Sequence, residues 1–573
     1  MLDIIIILKY NIGNMYLKKT TATLADGTKA KYLHLAHNYW DTEAQISKPK
    51  IIYSFGREDK LDKKVLKRLV SSINRYLHSE EQDDDFDFKK LEEEADSLEF
   101  EFAWAKNLGG PWFINELWQK FNFDSILEKL LADRHFEIDV ERLIFTMVAN
   151  RALNPSSKLA IEDWVEDKVF IPGINSVESK QLYRSMDFLL ECKEELELKV
   201  FDSVAHLMNL EVDLLYFDTT SSYFEVDPQE VPEDDEFRKL GNSKDGKPGL
   251  VQMVIGLAVT RDGIPIKSWV WPGNTQDMTV IEEVKDDLVG WKLGRIITVC
   301  DRGFSSEENL RYLQRAGGHY IAGEKLRSKK EEVKEAMSRP GRYQEIAENL
   351  KAKEIIVGDG EARTRYLLVL NPEEARRDKE QRNEIIAELK ERLKHLRQLP
   401  NEEHTKEMCR LRSHRVFGKY LRQLKDGSLK LDKGQISQEE KYDGKYLLKT
   451  SDDTLSAEDI ALGYKQLFQI EDAFRTVKNE LDLRPNYHRL EERIRSHVLL
   501  VWLALLLVRI AENETEMTWN RIHKELDKIK LGKFIFNSSE VFQRSKLKKK
   551  QRDIFDMKGI KPPPVYPKME PNT

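Results

Sequence analysis

Cysteine is scarce in this sequence, and long hydrophobic runs are missing. The 573 residues include 3 cysteines, too few and too scattered for a disulfide framework or a cysteine zinc site. The longest apolar stretch, Val498 to Val508, falls short of the roughly 20 residues that a membrane-spanning helix needs. Asp3 stands where a secretory signal peptide would carry its basic region. These absences argue against a secreted or membrane-spanning protein and predict a cytoplasmic chain with no membrane partner.

Charge is distributed unevenly along the chain. The formal net charge of −7 argues against a polyanionic partner when it is averaged over the whole protein. However, twelve acidic residues and two lysines lie between Glu80 and Glu101, whereas twelve Lys or Arg and three acidic residues lie between Lys528 and Lys568. This segregation is typical of nucleic-acid-binding proteins with an internal polyanion, and it equally suits a solvated linker followed by a solubilising tail.

The composition and the spacing of apolar residues change at several points along the sequence. These changes predict seven segments. Alternating residues and the turn signal Asp26-Gly27 predict a hairpin near the N-terminus, followed by a helix over 61–77. The natural start of this unit is Met15, and the residues before it suit either an upstream extension or an edge strand. We predict these boundaries: a β-hairpin and helix unit over 1–78, an acidic linker over 79–110, an α-helical domain over 111–210, the first part of an α/β core over 211–325, a charged inserted subdomain over 326–440, the second part of the core over 441–525 and a basic tail over 526–573.

The first part of the core has the pattern of an α/β sheet. Short apolar runs such as VDLLYFD, VQMVIGLAVT and RIITVCD are interspersed with two helical segments. The order is three strands, helix, strand, helix, strand, which predicts a mixed sheet flanked by helices, antiparallel at first and parallel later. This order is expected of a ribonuclease-H-like core and also suits other α/β folds. The later run VLLVWLALLLV predicts a helix packed inside the protein.

Two aspartates, Asp218 and Asp301, each close an apolar strand of this region. Carboxylates at the carboxyl ends of strands lie where open α/β sheets place their ligands. Two or three such groups suit Mg²⁺, which prefers hard oxygen ligands. The competing interpretation is that each aspartate caps a turn, because Thr-Thr-Ser-Ser follows the first and Arg-Gly follows the second.

A third carboxylate, Glu471, lies in a segment predicted to form one continuous helix from Ser456 onward. Arg475 and Lys478 follow Glu471 at i+4 and i+7. Tyr464 precedes Glu471 by seven residues, so all four side chains are predicted to share one helix face. Such a face suits a phosphodiester, since the acid can hold metal and the cations can neutralise phosphate oxygens. The alternative is an ordinary exposed Glu-Arg pair.

These residues resemble the signature of a known enzyme superfamily. The strings YFDTT and VCDRG, together with Tyr464-x2-Leu467-x3-Glu471-x6-Lys478, are similar to DDE transposases of the superfamily named after insertion sequence four, whose signature is Tyr-x2-Arg-x3-Glu-x6-Lys. The strings DGKYLLKTSDDTLSAEDIALGYKQLFQIEDAFRTVK and LRPNYHRLEERIRSHVLL resemble its long-chain branch. The resemblance extends from about residue 15 to about residue 515.

The resemblance implies a catalytic site with metal ions. Asp218, Asp301 and Glu471 match the catalytic and metal-binding triad, which takes two Mg²⁺ ions that Mn²⁺ can replace. We expect Asp218 to bridge both ions and each of the other two carboxylates to hold one. Tyr464 and Lys478 match the positions of the signature that contact DNA.

The match departs from the signature at one position. Leu467 stands where the signature has Arg, and Arg475 is predicted to supply that charge from the same helix face. Arg302, beside Asp301, is a candidate DNA contact or a structural turn residue. Relatives use a tryptophan of the inserted segment to form a DNA hairpin, and none of the ten tryptophans here lies over 326–440. A hairpin intermediate would therefore need another aromatic side chain, and the candidates are Tyr343, Tyr366, Phe417 and Tyr420.

The resemblance also implies an activity and its partners. The activity is metal-dependent cleavage of DNA strands at the ends of a bacterial-type insertion sequence, followed by strand transfer in a cut-and-paste reaction. The partners are double-stranded DNA, as terminal inverted repeats and as target, and a second copy of the chain in a synaptic homodimer. The segment over 111–210 is the expected reader of the DNA ends, and the protein is expected to associate with the nucleoid in the cytoplasm.

Two other functions compete with this prediction. A catalytically silent, transposase-derived protein would bind DNA through basic surfaces such as Arg410 to Lys425 after losing an acid, but all three acids are present. A phosphatase of the haloacid-dehalogenase type would need a second aspartate two residues after Asp218, where Thr220 stands. The residues therefore favour an enzyme that cleaves DNA.

Overall fold

A computed structural model provides the structure of the chain. It describes residues 15–23, 29–41, 46–57, 100–210, 212–291, 293, 295–359, 363–536, 539–557 and 559–567. The chain forms two compact units, Met1–Leu98 and Glu99–Thr573.

The first unit contains an antiparallel sheet of three strands in the order β1-β2-β3. The strands are β1 (Met15–Thr23), β2 (Lys29–Asp41) and β3 (Ile46–Arg57). They confirm the predicted hairpin. The predicted helix over 61–77, the acidic segment as far as residue 99 and the segment before Met15 lie outside the described residues.

Helices occupy the chain between Gly109 and Met208, as the spacing of apolar residues predicts. They are α1 (Gly109–Lys120), α2 (Phe123–Leu131), α3 (Val140–Leu153), α4 (Ala160–Asp163), α5 (Ser179–Glu191) and α6 (Lys193–Met208). Trp118 is fully buried among them, and its indole N–H donates to Glu141 at 2.6 Å. The apolar side chains of these helices belong to the same hydrophobic cluster as one face of the main sheet, so the helices share a core with the sheet.

Nine strands form one large mixed sheet in the second unit. They are β5 (Leu214–Tyr223), β6 (Gln252–Val259), β7 (Pro265–Pro272), β8 (Ile297–Cys300), β9 (His319–Glu324), β10 (Gln344–Ala347), β11 (Leu350–Val357), β12 (Thr364–Leu370) and β15 (Lys445–Thr450). Their spatial order is β10-β11-β12-β15-β9-β8-β5-β6-β7. β5, β6 and β7 pair antiparallel, whereas β8 pairs parallel with β5 and with β9. The predicted order of antiparallel and then parallel strands is confirmed.

Helices cover both faces of this sheet. On one face lie α7 (Ile281–Val289), which precedes β8, and α8 (Glu307–Gln314), which precedes β9. On the other face lie α13 (Ala457–Lys465), α14 (Phe468–Asn479) and α15 (Glu491–Thr515). Side chains of β5 alternate between the two layers: Phe217 packs with the first set and Tyr216 with the second.

The apolar helix α15 lies inside the protein, as its sequence predicts. By length and composition it is apolar enough to cross a membrane, but 94% of its apolar window is buried in this fold. A helix that is hydrophobic on every side is stable in water when other elements surround it. Here the helices α3 and α5 and the strand β7 pack against it.

The segment over 326–440 does not form one separate subdomain, which differs from the prediction. Its strands β10, β11 and β12 extend the main sheet, because β12 pairs with β15 and β15 pairs with β9. The remaining elements are α9 (Glu331–Ser338), α10 (Pro372–Leu396), α11 (Asn401–Ser413), β13 (Leu421–Gln423), β14 (Leu429–Leu431) and α12 (Lys433–Glu440). A small hydrophobic cluster of its own, including Leu389 and Phe417, holds the later part together. Strand patterns along a sequence do not reveal which sheet edge a strand joins.

The basic C-terminal segment is folded over the residues that the structure describes, which end at 567, and the predicted linker ends earlier than residue 110. A second antiparallel sheet has the order β17-β16-β4. Its strands are β4 (Phe100–Asn107), β16 (Lys530–Phe536) and β17 (Ser539–Arg544), and the flanking helices are α16 (Trp519–Leu526) and α17 (Lys549–Asp556). The predicted boundaries are wrong here because the many charged residues obscure short runs in which apolar and polar residues alternate. Strand pairing across more than 400 residues then joins the two segments.

Candidate active site

Asp218 and Asp301 lie side by side where the parallel pairing of β5 with β8 ends. Asp301 directly follows β8, whereas Asp218 lies within β5, which continues to Tyr223 and so does not end at Asp218 as predicted. β5 and β8 run parallel with Phe217 opposite Cys300, and each aspartate is the next residue along its strand. Adjacent strands are separated by about 4.8 Å. Because side chains alternate, both aspartates project from the face opposite Phe217 and Cys300. That is the face on which α13 and α14 pack. The structure therefore brings together the two acids that the strand pattern singles out.

Burial and neighbouring charge alter the titration of Asp218. Burial raises the pKa of Asp218 to about 6, and the carboxylates of Asp277 and Asp301 add to the shift. The ammonium group of Lys244 and the backbone N–H of Thr219 oppose it. In this environment a cation bound beside Asp218 stabilises the charged form of its carboxylate.

Tyr464 links the helical layer to this pair. Its hydroxyl donates to Asp301 Oδ1 at 3.2 Å, and burial together with Asp301 raises the pKa of the phenol. Gly323 on β9 leaves the space for the phenol, because a Cβ there would collide with the Tyr464 hydroxyl. Tyr464 thus contacts an acid of the candidate site directly.

The helix that carries Tyr464 and Glu471 is not continuous, which corrects the prediction. α13 ends at Lys465 and α14 begins at Phe468. The intervening turn is closed by two short-range backbone bonds, Leu467 N to Tyr464 O at 3.0 Å and Gln469 N to Gln466 O at 2.9 Å. The side chain of Gln466 also accepts from the Tyr216 hydroxyl at 3.0 Å. Tyr464 and Glu471 therefore lie on different helices.

Glu471 does not join the two aspartates in a compact group. It lies in the first turn of α14, and its side chain is exposed. Within the described part of the chain, no three His, Cys, Asp or Glu side chains are grouped closely enough to hold a metal ion. Glu471 also has no hydrogen bond or ion pair to another described residue. The predicted convergence of three acids is thus seen for two of them.

Lys244 and Asp277 complete the polar neighbourhood of Asp218, and sequence reasoning missed both. The Thr219 hydroxyl donates to Asp277 at 2.5 Å. Lys244 donates to the Thr219 carbonyl at 2.8 Å and to its hydroxyl at 2.7 Å, and it forms an ion pair with Asp277 at 3.1 Å. Both residues lie in loops between strands. No spacing in the sequence connects these loops with the strand ends, so the sequence carries no signal for them.

The cations predicted to contact DNA have different surroundings. Lys478 pairs with Asp245 at 2.6 Å, and Arg484 shares the same carboxylate oxygen at 2.6 Å. Arg475 is exposed and forms an ion pair with Asp472 on its own helix. Exposed Arg475 is open to a ligand, whereas Lys478 already has a buried partner.

Two further predicted positions lie close to the site or to its helix. Arg302 is exposed and begins the short turn directly after Asp301. Leu467 caps α14 and packs against the hydrophobic core, so it cannot serve as the missing arginine.

The aromatic candidates for hairpin formation are packed into hydrophobic clusters: Tyr343, Tyr366, Phe417 and Tyr420.

The central part of the chain is similar to a known protein family. Residues 224–507 match a family model described as a transposase DDE domain. This range includes Asp301 and Glu471 and begins shortly after Asp218. A solved structure, the cryo-EM structure of a piggyBac transposase synaptic complex with hairpin DNA, is similar at 12% identity, covering 72% of this chain and 76% of that chain with a TM-score of 0.34. No curated protein is similar enough to the sequence to match it.

Proposed function

We propose that this chain, part of which matches a family model described as a transposase DDE domain, cleaves and transfers DNA strands at an active site built on Asp218 and Asp301. The observation that carries the proposal is the position of the two aspartates, which are neighbours where the pairing of the parallel strands β5 and β8 ends. Two carboxylates side by side repel each other, so a purely structural role would be unfavourable. A ligand set for divalent cations explains the arrangement.

The donor set fits divalent metal ions. Mg²⁺ and Mn²⁺ both favour carboxylate oxygens, and Asp218 lies in a negative environment formed by Asp301 and Asp277. The single ammonium group of Lys244 balances that charge only in part. When two such cations are bound, they activate the attacking water or 3′-hydroxyl and stabilise the departing oxygen of the phosphodiester. Asp218 and Asp301 would hold them, and the Tyr464 hydroxyl would fix the orientation of Asp301.

Glu471 is the proposed third carboxylate. Its position seven residues before Lys478 supports this assignment, as does its location within the matched domain. Since its side chain is exposed and has no partner among the described residues, no intramolecular bond has to break before it binds a cation. Asp277, in contrast, is already held by Thr219 and Lys244.

The proposed DNA contacts are Arg302, Tyr464, Arg475 and Lys478. Arg302 and Arg475 are exposed cations that can neutralise backbone phosphates. Lys478 would have to exchange Asp245 for a phosphate, and Arg484 would remain to balance that aspartate. Phosphate contacts of this kind position a DNA strand without reading its sequence.

The assignments of a superfamily and a substrate rest on the resemblance between the segment from Tyr464 to Lys478 and the superfamily signature. We assign the chain to the superfamily named after insertion sequence four and its substrate to the ends of a bacterial-type insertion sequence, which are excised and inserted by cut and paste. The order of β5 to β9 supports a ribonuclease-H-like core, and the long excursion between β9 and β15 supports an insertion. Terminal inverted repeats, target DNA and a second copy of the chain are the proposed partners. The segment over 111–210 would read the ends, in the nucleoid of the cytoplasm.

A catalytically silent DNA-binding protein is the second candidate. The observation that favours it is that the described residues contain no group of three metal-binding side chains. Both candidates bind DNA through the same cations, so binding alone does not separate them. Cleavage of DNA separates them directly.

The test is cleavage of labelled DNA that carries the ends of the element encoding this chain, in Mg²⁺ or Mn²⁺. We expect wild-type protein to nick the element ends, and Asp218→Ala, Asp301→Ala and Glu471→Ala to lose this activity by at least about a thousandfold. Glu458→Ala, which removes an exposed acid from α13, is the matched control and should cleave normally. Equal nicking by all five proteins would refute the enzymatic assignment, and binding without nicking by the wild type would favour the silent protein.

A further inference from the structure

A second cluster of buried side chains consists of basic and amide residues, and none of them belongs to the aspartate pair. Arg151 ends α3, Lys158 lies in the loop before α4, and His497 lies in α15. They are 5%, 3% and 5% exposed, and Asn486, in the loop before α15, is 2% exposed. His488 in the same loop packs against His497 with their ring centroids 5.1 Å apart. Three separate parts of the chain thus bring nitrogen-bearing side chains to one buried place.

Nitrogen atoms of this cluster have no hydrogen-bond partner. The unpartnered atoms are Lys158 Nζ, Arg151 Nε, His497 Nδ1 and Asn486 Nδ2. The remaining polar atoms of two of these side chains are used: Arg151 donates to the carbonyls of Ser156 and Asp482, and Asn486 Oδ1 accepts from the backbone of His488. Buried donors without an acceptor are rare in folded proteins, and each is unfavourable. Three of the four atoms are donors and His497 Nδ1 donates in one of its two tautomers, so together they indicate a missing acceptor.

The charges of the cluster are nearly all of one sign. Arg151 and Lys158 interact electrostatically with each other and with both histidines. The carboxylate that interacts with Arg151 is Asp482, which is exposed. Lys158 forms no ion pair with any residue that the structure describes. An acceptor that satisfies these groups must therefore carry negative charge.

The surface above the cluster suits a nucleotide strand. Leu159 follows Lys158 directly and is 64% exposed, and Tyr487 follows Asn486 and is 72% exposed. An exposed aromatic ring beside a cationic site is a feature of proteins that bind single strands by stacking on bases. Lys158 and Asn486 belong to the loops over 154–159 and 480–490, so an anion can enter by moving loop side chains without breaking helices.

We propose that Arg151, Lys158, His497 and Asn486 form a binding site for a phosphate group. The four unpartnered nitrogens donate to its oxygens, and Arg151 and Lys158 balance its charge. We assign the phosphate to the backbone of a bound DNA strand whose base stacks on Tyr487. This last step rests on the proposed function, whereas the phosphate site itself does not.

The first measurement uses inorganic phosphate on the full-length wild-type protein in EDTA, so that no metal takes part. We expect titration calorimetry to show phosphate binding and thermal unfolding to shift upward with phosphate relative to chloride at matched ionic strength. Lys158→Met should weaken phosphate binding at least tenfold, Lys158→Arg should retain it, and Lys168→Met, an exposed lysine of the same region, should match the wild type. Wild-type protein that does not respond to phosphate overturns the proposal, whether or not any variant folds.

The second measurement separates a DNA phosphate from a free one. Affinity for a duplex and for a single-stranded oligonucleotide is measured across a salt series in EDTA. We expect Lys158→Met to lower the slope of log affinity against log salt by about 1, and Tyr487→Ala to weaken the single strand selectively. Phosphate binding with unchanged DNA slopes would overturn the DNA assignment and identify a free anion as the ligand. Because no step requires metal or cleavage, these outcomes do not depend on whether Asp218 and Asp301 are catalytic.

Discussion

The Tyr464 hydroxyl donates to Asp301 Oδ1 across 3.2 Å, and this bond joins α13 to the carboxyl end of β8. It fixes the orientation of one acid of the candidate site from a helix 163 positions away in the chain. Tyr446, whose ring is stacked on Tyr464 with the centroids 5.9 Å apart, has no such contact with either aspartate. The two phenols therefore form a matched pair for mutation.

Tyr464→Phe should lower the rate of DNA cleavage about fivefold without unfolding the protein. The substitution removes one hydrogen bond of about 1 kcal/mol and retains the packed ring. The comparison is the single-turnover cleavage rate of Tyr464→Phe and Tyr446→Phe in Mg²⁺, with thermal unfolding as the check on folding. If both variants cleave at the wild-type rate, the bond to Asp301 has no role in the reaction.

Arg475→Ala should weaken binding to DNA ends about tenfold and lower the salt slope by about 1, because one exposed phosphate contact is lost. Its ion pair with Asp472 is exposed on the arginine side and contributes little to stability. Arg376→Ala, which removes an exposed arginine from α10, provides the control. Wild-type affinity in Arg475→Ala would remove this residue from the DNA surface.

Asp245→Ala should lower the free energy of unfolding by about 3 kcal/mol, since it leaves the partly buried Lys478 and Arg484 without their shared partner. Urea unfolding gives the value, and Asp262→Ala, at an exposed position in the turn between β6 and β7, is the control. A change of less than about 0.5 kcal/mol, as is usual for surface substitutions, would show that the two cations do not depend on Asp245.

The buried histidines should make the fold less stable in mild acid. Burial, with the cations Lys158, Arg151 and Arg493 nearby, lowers the pKa of His488 to about 4, and similar causes hold the pKa of His497 well below its usual range. Between pH 6.5 and pH 4 the unfolded chain therefore binds protons that the folded chain excludes, so stability falls as the pH falls.

For His488 alone the expected loss between pH 7 and pH 5 is about 2 kcal/mol. Asp218 acts in the opposite direction, because its pKa is raised in the folded state. The measurement is therefore the difference in the free energy of urea unfolding between wild type and His488→Gln at each pH. The contributions of other titrating groups cancel in this difference. The variant should lose less stability than the wild type on acidification, and parallel curves would contradict the prediction.

Much of the sheet could be predicted from the sequence because its strands are short apolar runs, and their order along the chain is typical of a mixed sheet. Asp218 and Asp301 were found for the same reason: each follows directly on such a run, and the parallel pairing of β5 with β8 places the two positions side by side. The sequence did not show that β5 continues past Asp218 to Tyr223. The sequence did not reveal the break between α13 and α14, because neither Gly nor Pro occurs there. A tertiary bond from Tyr216 to Gln466 accompanies that turn instead.

Other features depend on contacts that local patterns do not encode. Lys244 and Asp277 reach Thr219 from loops, and loop paths follow from the packing of the elements they connect. The pairing of β16 with β4 joins segments from opposite ends of the second unit. Glu471 was predicted from its spacing on a helix and from the resemblance to a signature. Neither of these gives the distance of its side chain from a neighbouring strand.

Binding of Mn²⁺ tests the central claim most directly, because it reports on the aspartate pair without requiring a known DNA sequence. Titration calorimetry is carried out on wild-type protein, Asp218→Asn, Asp301→Asn and the control Glu458→Gln. We predict that wild type and control bind Mn²⁺ alike and that each aspartate variant binds it at least tenfold more weakly. Unchanged Mn²⁺ affinity in both Asp218→Asn and Asp301→Asn would contradict the account.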